Sequence, residues 1–134
     1  MNLVLDSGGV TALAGQRARL AELRRRGAWP PQVPSVVLVE VLTGDHRRDF
    51  HENHLLRMCQ VRPVNEPTAR DAAHMRTATG RSGDISATDA IVAAFAVSLG
   101  DSVILTGDPT DLTDLTDLTD LIDTQSVPVT VAAV

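Results

Sequence analysis

Four carboxylates occupy places in the sequence where a fold could bring them together. Asp6 ends the apolar run NLVLD, Glu40 lies inside VVLVEVLT, Asp89 falls in SATDAIVAAFA, and Asp108 follows SVILTG. Clustered carboxylates repel one another, which raises their pKa values and costs self-energy. A hard divalent cation removes that cost, and Mg²⁺ or Mn²⁺ prefers oxygen ligands and bridges phosphates. The chemistry such a set predicts is metal-assisted hydrolysis of a phosphodiester.

The elements that must position these acids are legible around residues 86 to 109. Ser86 and Asp89 have the spacing of a capping box, Ala90 to Leu99 is apolar almost all round, and Gly100 is a natural stop. SVILT then reads as a buried strand closed by Gly107, Asp108 and Pro109. The helix descends about 15 Å at ~1.5 Å per residue, and the strand climbs about 20 Å at ~3.3 Å per residue. Asp89 and Asp108 therefore return to one edge of the fold, at the carboxyl end of a strand, where open α/β sheets bind ligands.

Each acid also has a plain structural role open to it. Asp6, Asp89 and Asp108 can all serve as helix caps. Glu40 is flanked by Val37, Leu38, Val39, Val41 and Leu42, and a charge beside a core needs a partner. No fixed cation in the sequence obviously supplies one.

Strands are expected at 2–6, 32–33, 59–64, 102–106 and 127–131, the last at an edge because of Pro128. Ser7-Gly8-Gly9 reads as a turn. Helices are expected over Val10 to Arg26 with a possible break at Gly15, from a Ser35 cap to Thr43, over Asp45 to Arg57, and over Thr68 to Thr79. The last of these offers Ala69, Ala72, Ala73 and Met75 as its packing face. Alternating strands and helices predict an α/β fold with a parallel sheet covered on both faces. Residues 110–121 repeat TDL four times. A three-residue step lets the leucines drift round a helix, so the segment reads as either an extended helix or a loop.

Composition narrows the functional classes. At 134 residues the chain fits one domain, 1–134, with 110–121 as an inserted repeat. All twelve basic residues are arginine, which excludes a Walker P-loop, a protein kinase and a Schiff-base enzyme. Trp29, Phe50 and Phe95 are the only aromatics. The core must then be Ala, Val, Leu and Ile, and a base-stacking surface is disfavoured. The net charge of −5 is unhelpful for coating DNA, yet an acidic metal pocket would contribute to it. Cys59 is the single cysteine, so no internal disulfide forms and a reduced, cytoplasmic compartment is expected. Asp6 interrupts the apolar N-terminal run, which argues against a signal peptide or membrane span.

His46, His51, His54 and Cys59 match no standard zinc spacing, and a solvated helix explains the histidines better. The arginines at 17, 19, 24, 25 and 26, with Arg47, Arg48, Arg70 and Arg76, are candidates for RNA phosphates or for solvated helix faces.

Taken in order, Asp6-Ser7 after VL, VVLVEVLTG, SATDAIVAAFA and ILTGDP resemble the PIN-domain family, in particular the VapC toxins of VapBC toxin–antitoxin pairs. The resemblance runs from residue 2 to about 131. It implies a three-layer α/β/α fold with a central parallel sheet of four to five strands. It also implies metal-dependent endoribonuclease activity, Mg²⁺ or Mn²⁺ as cofactor, a homodimer, and a cognate VapB-type antitoxin. The family's acids fall on Asp6, Glu40, Asp89 and Asp108, and its hydroxyls on Ser7 and Thr106. Two departures stand out. Ser7-Gly8-Gly9 is more flexible than the Ser-Ala usual after the family's first acid, and the TDL repeat expands a normally short helix. The repeat adds Asp111 as an acid able to share or take over the ion, with Asp108 ranked ahead because it directly follows the strand.

Two rival readings remain. One is a module that keeps the fold and the antitoxin or RNA partner without cleaving, motivated by the acidic repeat and the glycine pair. The other is a haloacid dehalogenase-like phosphatase. That class wants a second Asp where Gly8 stands, and a Lys that this chain lacks.

Overall fold

The computed structural model describes residues 1–107 and 113–134. Five parallel strands form one sheet: β1 (Asn2–Leu5), β2 (Gln32–Pro34), β3 (Gln60–Arg62), β4 (Ser102–Thr106) and β5 (Val129–Ala133), in the order β3-β2-β1-β4-β5. The helices are α1 (Ser7–Leu13), α2 (Arg17–Arg25), α3 (Val37–Val41), α4 (Phe50–Met58), α5 (Glu66–Ala78), α6 (Ala87–Leu99) and α7 (Thr113–Asp123). The chain winds outward from β1 to β3, then crosses to β4 and β5 on the other side. Parallel strands joined through helices place α1 and α6 on opposite faces, α1 against β1 and β4 and α6 against β1, β2 and β4. This is the three-layer α/β/α arrangement, with the reversal of strand order between β1 and β4.

The core is aliphatic, as the scarcity of aromatics demands. Val4, Leu5, Val10, Leu13, Val33, Leu55, Ile104, Leu118 and Leu121 are buried, with Phe95 and Met75 the larger additions. Alanines at 90, 93, 94 and 96 leave α6 thin enough to lie close between the sheet and α5. Among the described residues no helix is long and apolar enough to cross a membrane.

Several boundaries differ from the sequence expectation, each for a local reason. Residues 7–9 are the first turn of α1 rather than a free turn, because Asp6 caps it. Gly15, at φ 77°, separates α1 from α2. Ser35 does not cap α3 through its side chain; only its carbonyl accepts, from Leu38 N–H at 3.1 Å. The helix stops at Val41 because Asp49 gathers the N–H groups of Thr43 and Gly44 at 3.0 and 2.9 Å and turns the chain away. Asp45 accepts from Arg47 N–H at 2.9 Å, so its segment is a turn and α4 begins only at Phe50. α5 starts earlier than expected, capped by Asn65, and buries Ala72 and Met75 while Ala69 and Ala73 face solvent. β5 is displaced by two residues, with Pro128 just outside it. Its carbonyl accepts from Ser102 N–H at 3.1 Å, a bond that needs no proline N–H.

Candidate functional site

Parallel pairing of β1 with β4, Leu5 opposite Leu105, sets the next residues Asp6 and Thr106 side by side at the carboxyl end of the sheet. Asp6 is 2 % exposed. One carboxylate oxygen accepts from Gly9 N–H at 2.7 Å, capping α1, and the other accepts from the Thr106 hydroxyl at 2.5 Å. Its capping role and its place in the site therefore coexist. Burial pushes the Asp6 carboxyl up to about 6, the charges of Asp114 and Glu40 push the same way, and the bonds from Thr106 and Gly9 pull back.

The glycine pair serves this geometry. A side chain at Gly8 would come within 2.7 Å of the Gly107 backbone, and one at Gly9 would collide with the Leu105 carbonyl. Gly8 and Gly9 thus let α1 press against the end of β4 and are not a sign of looseness.

Asp89 sits in the first turn of α6, where its N–H donates to the Ser86 hydroxyl at 3.1 Å. It is 8 % exposed. Burial pushes its carboxyl up to about 7, followed by the charges of Asp114, Asp6 and Asp117, against a lowering contribution from Ser86.

Glu40 corrects an expectation. It is exposed, as is Val39, while Val37 is buried and Leu38, Val41 and Leu42 pack against the core, so Glu40 lies on the outward side of the helix and the argument from a buried charge fails. It accepts from the Ser7 hydroxyl at 2.5 Å, beside Asp6 in the chain, and its charge bears on Asp6. Asp108 and Asp111 lie outside the described residues.

Asp6 lies within electrostatic reach of Asp114 and Glu40, and Asp89 within reach of Asp114, Asp6 and Asp117. Asp114 is not singled out from the sequence, where the repeat reads through residue 121 but only Asp111 is weighed for the ion. In the structure Leu118, Leu121 and Ile122 form the buried face of α7, a choice that the three-residue repeat alone does not signal. Among the described residues no three acids, histidines or cysteines converge closely enough to chelate one ion as they stand, and Asp6, Glu40 and Asp89 make no ion pair. Oxygen-only donors with uncompensated charge fit a hard divalent cation by chemistry.

Other candidates are occupied differently. Arg25 and Arg26 pair with Glu22, Arg24 lies over the Trp29 ring at 5.1 Å, Arg70 pairs with Glu66, and Arg76 donates to the Ile85 carbonyl. Burial pushes the Cys59 thiol up to about 12, an inert environment for a nucleophile.

Comparison with known proteins agrees with this architecture. No curated protein is significantly similar in sequence. VapBC2 from Rickettsia felis, solved bound to a promoter DNA fragment, superposes with a TM-score of 0.72 at 11 % identity, over 100 % of this chain and 99 % of that one. DNA-bound VapBC from Salmonella typhimurium gives 0.71 at 14 % identity, over 99 % and 98 %. FitAcB from Neisseria gonorrhoeae gives 0.62 at 18 % identity, over 96 % and 95 %. The profile of the PIN domain matches residues 11–116, so the chain belongs to the PIN domain family, whose members are generally nucleases that use divalent metals.

Proposed function

We propose that this protein is a metal-dependent endoribonuclease, the toxin of a type II toxin–antitoxin pair. The observation that carries the reading is the grouping of Asp6, Asp89 and Glu40 at the carboxyl end of β1 and β4, in a chain of the PIN family.

In this reading Asp6, Glu40, Asp89 and Asp108 hold Mg²⁺ or Mn²⁺. The cation, when bound, neutralises charge on the scissile phosphodiester and its leaving oxygen. The protein's own groups prepare the acids. Thr106 and the Gly9 N–H fix the Asp6 carboxylate from both sides, and Ser7 fixes Glu40. Burial of Asp6 and Asp89 keeps bulk water from screening their charge. Of the arginines singled out in the sequence, Arg17, Arg19, Arg47 and Arg48 make neither an ion pair nor a ring contact among the described residues, and these are assigned to the RNA backbone. The products carry 5′-phosphate and 3′-hydroxyl ends.

A VapB-type antitoxin is the proposed partner, supported by the likeness to VapBC assemblies. A homodimer would cover the exposed apolar side chains of Val39 and Phe50. We place the protein in the cytoplasm as a single domain, 1–134, with 110–121 as its inserted repeat.

The test pairs Mn²⁺-dependent thermal stabilisation with RNA cleavage, in the wild type and in Asp89→Asn. Both are expected in the wild type and lost in the variant, with growth arrest relieved. Full cleavage by Asp89→Asn or Asp6→Asn would overturn the reading. Stabilisation without cleavage of any RNA would favour the non-cleaving binding module instead.

A further inference from the structure

Arg81 is not among the arginines singled out in the sequence, yet its contacts are specific. It follows the left-handed Gly80 that ends α5. Its guanidinium forks across two successive TDL units of α7, Nη2 donating to Asp117 Oδ1 at 2.8 Å and Nη1 to Asp120 Oδ2 at 2.5 Å. The Asp117 side chain is only 7 % exposed. A planar fork on two carboxylates one helical turn apart fixes both the height and the rotation of the helix that carries them.

The other end of Arg81 is tied just as firmly. Its carbonyl accepts from Asp84 N–H and Ile85 N–H at 2.9 and 3.0 Å, Ile85 is buried, and Ser86 then caps α6. Arg81 therefore links the segment entering the helix of Asp89 to the helix of Asp114. Asp114 stands one TDL unit before Asp117, and its charge is the first among neighbouring charges on both Asp6 and Asp89. Every unit of the repeat carries the same acid, so nothing in the triplets alone selects which one faces the sheet edge. The fork engages the units of 117 and 120, and the unit of 114 is the one whose charge bears on both Asp6 and Asp89.

We propose that Arg81 is a positioning residue: it docks α7 in one register against α6, so that Asp114 is presented beside Asp6 and Asp89. The proposal rests on the metal-dependent reading above and adds Arg81 and Asp114 to it. Arg81 also offsets the charge of Asp117, which would otherwise bear on Asp89 uncompensated.

Two measurements on the full chain test this. Amide hydrogen exchange without metal reads the docking, and calorimetric Mn²⁺ titration reads the positioning. In Arg81→Met, protection over residues 113–123 should fall while that of α6 persists, and Mn²⁺ should bind roughly 10–100-fold more weakly, as for loss of an outer-sphere support. Arg81→Lys, which keeps the charge and loses the fork, should fall between. In the Arg81→Met background, Asp117→Asn should recover part of the affinity. A purely structural clamp would lower the melting temperature and leave Mn²⁺ affinity unchanged below it, which would overturn the proposal. So would unchanged α7 protection in Arg81→Met. If the wild type binds no Mn²⁺, the metal-dependent reading itself fails, whatever α7 does. If the wild type binds and Arg81→Met binds equally, only the role of Arg81 fails.

Discussion

The two sides of the candidate site are built on opposite terms. On the sheet side, Asp6 is buried, bonded at both oxygens, and joined to Thr106 across 100 positions of sequence. On the α3 side, Glu40 is exposed on a five-residue helix with no side-chain cap, and among the described residues the Ser7 hydroxyl is the group that donates to it. The sheet side is pre-organised and holds its charges at a cost. The α3 side is accessible and can adjust to what arrives. One wall of the site is thus buried and the other open to solvent, a layout compatible with the RNA substrate proposed above.

Removing the acids of the buried wall should have the largest effect on activity. Asp6→Asn or Asp89→Asn should reduce RNA cleavage by more than about 100-fold, above the range typical of supporting residues. Asn is itself a good N-cap, so circular dichroism of Asp6→Asn should remain that of the wild type. Thr106→Val removes only the bond that orients Asp6 and should lower cleavage roughly 10–100-fold. Ser7→Ala acts on the open wall, and its loss should be smaller than that of Thr106→Val under the same assay. The reverse ranking would contradict the contrast between the two sides.

The same contrast has a pH signature. The carboxyls of Asp6 and Asp89 rise from 3.8 to about 6 and about 7 on folding. Between pH 4 and 7 the folded chain therefore holds more protons than the unfolded one, and metal-free stability should fall as pH rises. Mn²⁺ needs the deprotonated acids, so its stabilising shift should grow over the same interval. Melting curves at pH 5, 6 and 7, with and without Mn²⁺, check both slopes. Asp89→Asn should flatten both.

Away from the site, Leu121→Ala should cost about 2–5 kcal/mol by opening a cavity under α7, and Gly9→Ala more than about 1 kcal/mol. Denaturant titration measures each.

The extent to which these features were readable from sequence follows from their range. The α6–β4 unit was legible because its signals are local: a cap at Ser86, a continuous apolar run, and Gly100 at φ 84°. The α3 segment was misjudged because hydropathy reports what a residue prefers, and Val39 is 80 % exposed all the same. The Thr106–Asp6 bond depends on strand register, and the need for Gly8 and Gly9 depends on how close Gly107 and Leu105 come. Neither can be deduced from neighbouring residues. In the TDL repeat the triplet period matches no helical face. The choice of Leu118, Leu121 and Asp117 is made by what surrounds α7, Arg81 included.

The tight meeting of Gly9 with the end of β4 has a genetic consequence. Among survivors selected after forced expression of this gene, substitutions at codon 9 should recur alongside losses of the acids. Every such replacement adds at least a methyl group, 3.4 Å from Asp6 Oδ1, where the Leu105 carbonyl already stands, and none of them removes a carboxylate. Escape by steric obstruction would then be as accessible to the population as escape by removal of charge.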